Sequence, residues 1–238
     1  MGTKMCTNNG HSMTVMYTKN MEFYHVLNRG VEKRPVIKND SDRLRFVHSL
    51  FIFNDARPLD ENHARAGFEM SAVERKPLVH LHAWCLMPNH YHLLISPLED
   101  DLRNLSRFMK KLNMGYARYF NEKYDRSGYL WQGRYKKVHM ERDAHFIRMP
   151  SYIHLNPLDI FMPEWRNAPI TNTQKALDHL ANYRWSSHLD YASVKNFPSI
   201  ISKDLLTGMF SSPNAYLDHL RRTLSTGERV PNELTLEA

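Results

Sequence analysis

The stretch PLVHLHAWCLMPNHYHLLISP, Pro77 to Pro97, decides the fold. Its two apolar runs, PLVHLHAWCLM and HYHLLIS, read as strands joined tightly around Pro88 and Asn89, which makes them antiparallel neighbours. Residues at i and i+2 of a strand share a face, so His90 and His92 stand side by side while Tyr91 and Leu93 face the other way. With only Pro88 and Asn89 in the turn, Met87 pairs with His90 and Cys85 with His92. That register sends His80 and His82 to the opposite face, and a turn one residue longer would reverse the parity. Two imidazoles on one strand face suit a metal, although a lone H-x-H is more often a pair of satisfied structural histidines.

Outward from this hairpin, EFYHVLNRG (residues 22–30) reads as a strand ending at a glycine turn. Asp40 or Ser41 can cap a helix in which Leu44, Val47, Leu50 and Phe51 keep helical spacing. Residues 55–76 are polar, irregular and long for a connection inside a compact domain, and read as an insertion. A helix is expected from Asp101 to about Glu122, with Leu105, Phe108, Met109, Leu112, Tyr116 and Tyr119 on one stripe and Arg103, Arg107, Lys111 and Arg118 on another. The segment SGYLWQGRYKKVHM (residues 127–140) interleaves aromatics with cations, a pattern that can stack bases and neutralise phosphates or simply form an exposed basic hairpin. In ERDAHFIRMPSYIHLNP the helical spacing of Phe146, Met149 and Ile153 leaves Arg148, Tyr152 and Asn156 together on a different face. Pro150 is awkward there and predicts a kink or a restart, and Pro157 ends the helix. A further helix is expected near Thr173 to Asn182, followed by YRWSSH (residues 183–188) and a weakly patterned tail. The order of elements predicts an α+β protein, an antiparallel sheet with helices mainly on one face.

The chain has 238 residues, 42% of them hydrophobic, enough for a real core. A net charge of +7 and a pI near 9.4 favour a polyanionic partner, weakly on their own. No run is long enough to cross a bilayer, and the first twenty residues lack the apolar stretch of a secretory signal, so a cytoplasmic protein with no membrane partner is expected. With only Cys6 and Cys85, neither a disulfide framework nor a cysteine zinc site is available. A metal would have to use histidine, carboxylate or amide ligands.

LHAWCLMPNHYHLLISP, SGYLWQGRYKKV, YIHLNP and YRWSSH, in that order, resemble the REP-associated tyrosine transposases, relatives of the single-tyrosine insertion-sequence transposases within the HUH endonuclease superfamily. The opening YHVLNRGVEKRPVIKNDSDRLRF is similar to the start of that domain. The resemblance spans residues 23–191 and implies a ferredoxin-like antiparallel sheet, with residues 1–20 as a tail, 21–195 as the transposase-like domain and 196–238 as an extension. It implies that His90 and His92 hold Mg²⁺ or Mn²⁺, that Asn156 supplies a further ligand and that Tyr152 is the nucleophile. The DNA path it implies draws on Arg29, Arg103, Arg107, Lys111, Arg118, Arg134, Lys136 and Lys137, with Trp131 and Tyr135 for stacking. The implied substrate is single-stranded or hairpin DNA with REP-like palindromes, cleaved and rejoined through a 5′-phosphotyrosine by a monomer or homodimer. Where relatives often continue YIHLNPVRAG, this chain has YIHLNPLDIFMP, losing a basic residue and a glycine beyond the tyrosine helix. Two rival functions remain: a domesticated hairpin-binding protein that no longer cuts, and a small-molecule metallohydrolase.

Overall fold

The structure, a computed structural model, describes residues 4–8, 11–15, 21–58, 75–140, 143–228 and 230–235. Most of the expected insertion, residues 59–74, lies outside the described residues. Within the stretch read as an N-terminal tail, β1 (Lys4–Asn8) and β2 (His11–Val15) pair antiparallel.

The centre of the molecule is a four-stranded antiparallel sheet in the order β4-β5-β3-β6, formed by β3 (Tyr24–Arg29), β4 (Val79–Leu86), β5 (His90–Pro97) and β6 (Lys136–His139). The β4–β5 turn holds Pro88 and Asn89, Met87 N–H donates to His90 O at 2.8 Å, and Cys85 lies opposite His92, as the two-residue turn requires. The expected fate of His80 and His82 is overturned. The ladder slips between Leu81 and Ala83, so His82 is an extra residue on β4 and parity reverses beyond it. His80 then faces Ser96, and His82 Nε2 meets Ser96 Oγ at 2.7 Å. Both imidazoles therefore share a face with His92. They sit four residues along the strand from it, roughly 13 Å away, too far to join the pair.

The face carrying Tyr91, Leu93 and Ile95 packs against α1 (Asp40–Ile52) and α2 (Leu102–Lys123). Phe46 of α1 meets Tyr91 with ring centroids 5.0 Å apart, and the Tyr91 hydroxyl donates to Asn113 Oδ1 of α2 at 2.8 Å. The α2 stripe of Leu105, Phe108, Met109, Leu112 and Tyr116 is buried as its spacing predicts. The α1 cap is Asn39 rather than Asp40 or Ser41; its side chain accepts from the Asp42 N–H. Leu44, read as part of the apolar stripe, is exposed. Gly115 lets the two helices close up, since a β-carbon there would lie 2.2 Å from Phe53 Cζ.

The opposite face receives α3 (Asp143–Leu155), which runs through Pro150 as one helix, without the break its proline suggested. Leu155 ends it, and Asn156–Pro157 lead into α4 (Leu158–Phe161) and a single 3-10 turn, Pro163–Arg166. After α5 (Thr173–Ala181), YRWSSH covers the free edge of β4: Leu86 N–H donates to Trp185 O, Ser187 N–H to Trp84 O, and Cys85 and Ser186 form an antiparallel bridge. Pairing that edge removes a template for unwanted strand addition. The stretch expected to be a polar tail folds as α6 (His188–Tyr191), α7 (Asp204–Met209), α8 (Pro213–Thr226) and α9 (Asn232–Thr235). Tyr216, Leu220 and Leu224 of α8 are buried in the common core.

Behind α3 runs a buried polar chain. Trp84 N–H donates to Ser187 Oγ (2.9 Å), which meets His154 Nε2 (2.7 Å); His154 Nδ1 meets the Tyr216 hydroxyl (2.9 Å), which meets His188 Nδ1 (2.7 Å). His154, two residues beyond Tyr152 on the same helix, thus has a structural place between Ser187 and Tyr216, not a place at the tyrosine.

Candidate active site

The register of the sheet assembles the site. His90 lies opposite Arg29, and Leu27 stands between His92 on one side and Lys136 on the other, so Arg29, Lys136 and both histidines point to one face. The two imidazoles have centroids 4.9 Å apart and are nearly perpendicular. Each is held at Nδ1: His90 by Asn89 Oδ1 at 2.6 Å, His92 by His25 Nε2 at 2.9 Å. His25 in turn donates its Nδ1–H to the Leu234 carbonyl of α9 at 2.6 Å. Orienting an imidazole through Nδ1 aims its Nε2 edge outward, the arrangement that metal-binding histidines use. Burial, then the electrostatic influence of His25, Arg166 and Arg29, hold His92 far below the ordinary histidine pKa, which favours the neutral imidazole. Two imidazoles on one face fit a divalent ion. Among the described residues no group of three or more His, Cys, Asp or Glu side chains is gathered to complete such a site.

Tyr152 comes from α3 onto this face. Its ring stands edge-on to His92 at 5.7 Å and edge-on to His25 at 6.0 Å. Residues 60 positions apart in sequence are thus brought together as the motif order predicted. Asn156, one turn on, is fully buried; its amide Nδ2 donates to Tyr152 O at 2.8 Å, and its Oδ1, the atom expected to reach a metal, accepts from Arg166 Nη2 at 2.8 Å. Arg166 also donates from Nη1 to the Tyr152 hydroxyl at 3.0 Å. Neither Arg166 nor His25 was singled out from sequence. His25 sits inside the quoted YHVLNRG, two residues along one strand face from Leu27, and that spacing was the available signal.

The expected DNA-contacting residues divide. Arg29, Arg134 and Lys136 line one groove with Leu27, Asn28, Gln132 and Gly133, next to the histidine pair. Arg103, Arg107, Lys111 and Arg118 ride on α2, behind the other face, and each has a local partner. Arg103 pairs with Asp101 and Arg118 with Glu122; Arg107 donates to Ala56 O, and Lys111 to Asp55 O and Arg57 O. Lys137 also faces that side, over the Tyr24 ring at 4.7 Å, and the Tyr135 hydroxyl lies 3.5 Å from Ser106 Oγ of α2. Trp131 is buried edge-on to Tyr91, with its Nε1–H on Asn113 O. The exposed aromatic of this segment is Tyr129, 88% accessible.

A histidine pair on a central antiparallel strand, with a helix-borne tyrosine set against it, is the arrangement that the motif resemblance implied. Residues 59–156 match the family model described as "Transposase IS200 like", and the family resemblance read from the motifs is borne out. Among solved structures the chain is similar to one described as "Structure of the REP associates tyrosine transposase bound to a REP hairpin", at 14% identity and a TM-score of 0.43, covering 80% of this chain and 90% of that one. No curated protein matches. Among the described residues no helix is long and apolar enough to cross a membrane.

Proposed function

We propose that this protein is a DNA transposase that cleaves and rejoins single-stranded or hairpin DNA with Tyr152 as nucleophile. The observation that carries the reading is the Tyr152 ring set 5.7 Å from that of His92, on the sheet face that also bears His90. The Tyr152 oxygen attacks a backbone phosphorus; the Tyr–phosphate bond forms as the bond to the 3′-oxygen breaks. The phenol loses its proton and the departing 3′-oxygen takes one up, leaving a 5′-phosphotyrosine and a 3′-hydroxyl. Because the phosphoester is conserved, an incoming 3′-hydroxyl reverses the step without an energy source.

His90 and His92 would hold Mg²⁺ or Mn²⁺, which when bound offsets charge on the phosphate's non-bridging oxygens. The chain's own contribution is placement. His25 and Asn89 fix the imidazoles, α3 carries the nucleophile to them, and Arg29, Arg134 and Lys136 offer phosphate contacts beside the pair. REP-like palindromes are the proposed substrate class.

The test is a denaturing gel of the protein and Tyr152→Phe incubated with labelled single-stranded DNA carrying palindromes, with Mg²⁺ or Mn²⁺. A covalent protein–DNA adduct that requires metal and is absent from the variant is expected. Tight hairpin binding without any adduct would instead establish a binding protein, and an adduct persisting in Tyr152→Phe would move the nucleophile elsewhere.

A further inference from the structure

The arginine that ends the 3-10 turn after the tyrosine helix has no role in the sequence reading, yet its side chain touches the atoms on which the proposed chemistry depends. Arg166 Nη1 donates to the Tyr152 hydroxyl at 3.0 Å, and Nη2 donates to Asn156 Oδ1 at 2.8 Å. The remaining edge of the guanidinium is gripped by Asp159, with Nε on Oδ1 at 2.7 Å and Nη2 on Oδ2 at 2.6 Å. Asp159 is itself fixed by the indole N–H of Trp165 at 2.7 Å, and the guanidinium lies over the Trp165 ring at 4.8 Å. This is a planar fork used on three sides at once, a job for which lysine is no substitute. The fork also lies in the wall of a cavity that Tyr152, Ser151 and Arg148 help to line.

We infer that Arg166 is a catalytic residue of the cleavage step: it holds the Tyr152 oxygen and the Asn156 amide in one geometry and offsets the negative charge left on the phenol oxygen as its proton departs for the attack. The inference rests on the preceding functional reading and deepens it. A guanidinium keeps its proton at any working pH, so Arg166 cannot take the phenol's proton. What it offers is a fixed donor already aimed at the reacting oxygen, in a setting largely closed to water, where such donors act most strongly. Asp159 prevents the fork from swinging away and leaves the guanidinium's donors to Tyr152 and Asn156 in place. In the reverse direction the same contact receives the phenol oxygen when the 3′-hydroxyl displaces it from phosphorus.

The experiment is single-turnover adduct formation at saturating hairpin DNA, with hairpin affinity and thermal stability measured alongside for every protein. Arg166→Ala is expected to slow adduct formation by about 100-fold, the cost typical of removing one preorganised donor, while hairpin affinity stays close to that of the unaltered protein. Arg166→Lys keeps the charge but not the fork, and should recover only part of the rate. Added guanidinium ion should accelerate Arg166→Ala and leave the unaltered protein unaffected. Asp159→Asn, which loosens the fork without removing it, should fall between. Arg166→Ala reacting at the unaltered rate overturns the inference; so does a slow variant with lost affinity or stability that neither lysine nor guanidinium restores, since that pattern belongs to a merely structural arginine. Absence of adduct from the unaltered protein defeats the functional reading itself and the role of Arg166 with it.

Discussion

Acidification should weaken this fold steeply between pH 6.5 and 4, through histidines that the structure buries as neutral rings. His188, against the Tyr216 hydroxyl, and His82, against Ser96 Oγ, are both 2% exposed. Burial lowers His188 to a pKa of about 4; burial, and next the neighbouring His80, lower His82 to about 3. In the unfolded chain both would titrate near 6.5. Because the folded values are the depressed ones, the unfolded state binds more protons as pH falls. The stability due to the neutral rings is therefore complete above about pH 6.5 and declines below it, levelling only beneath the folded values. At pH 5 each histidine costs about 2 kcal/mol relative to pH 7.5, and together they remove a large part of a typical domain's 5–15 kcal/mol. Urea unfolding followed by circular dichroism at pH 7.5, 6 and 5 would show the midpoint falling by about 2 M for a slope near 2 kcal/mol/M. His188→Gln should lower stability at pH 7.5 but shrink the pH dependence by about 2 kcal/mol. A midpoint that does not move between pH 7.5 and 5, or a glutamine variant that keeps the full drop, would refute the assignment of neutral buried rings.

Gly115→Ala would ordinarily strengthen a helix by about 1 kcal/mol, but the new methyl meets the Phe53 ring at 2.2 Å. Overpacking of that kind costs about 1–3 kcal/mol, so net destabilisation is expected in urea unfolding, relieved when Phe53→Leu is added. Asp42 is fully buried, and its carboxylate accepts from Lys123 (2.6 Å), Tyr124 (2.7 Å) and the Lys38 N–H (2.8 Å). Burial alone would raise its pKa, but Lys123 and those donors outweigh burial and lower it, so its contribution is present above pH 4 and lost as pH falls further. Asp42→Asn should cost about 3 kcal/mol at neutral pH, measured by the same unfolding. In the groove beside the histidines, Arg134→Ala and Lys136→Ala should each reduce the salt dependence of hairpin binding by about one phosphate contact. Trp131→Ala should lower stability instead, by about 3–5 kcal/mol as a lost core aromatic.

Strand periodicity made the H-x-H pair, its two-residue turn and the paired strands legible, because a hairpin's register follows from local chemistry. The slip at His82 was not legible: a bulge is decided by how a strand meets its neighbours, and nothing in LVHLHAW marks one residue as extra. Tyr152 could be placed over the histidines only through the order of separated motifs, since helical spacing says which residues share a face and not what that face meets. Arg166 was hidden for the same reason. Its partners Tyr152, Asn156 and Asp159 are seven to fourteen residues back and meet it only because the chain doubles over at α4. The aromatic pattern of residues 127–140 misled at Trp131, which is spent on the core, while Tyr129 stands in solvent. In α8 the spacing of Tyr216, Leu220 and Leu224 was a helical signal diluted by the polar residues between them.

The hydrogen bond from His25 to Leu234 joins residues 209 positions apart. During synthesis the strand bearing His25 is among the first parts of the sheet to be made, yet it must wait for β5 and β6 on either side and then for α9 to settle against its imidazole. Such long separations slow folding, because distant segments must be brought together before their contacts repay the lost freedom. A ribosome that has delivered the sheet and the tyrosine helix has therefore not yet delivered the carbonyl that holds His25, the support of His92. The order of synthesis itself withholds the complete histidine arrangement until Leu234 has been made.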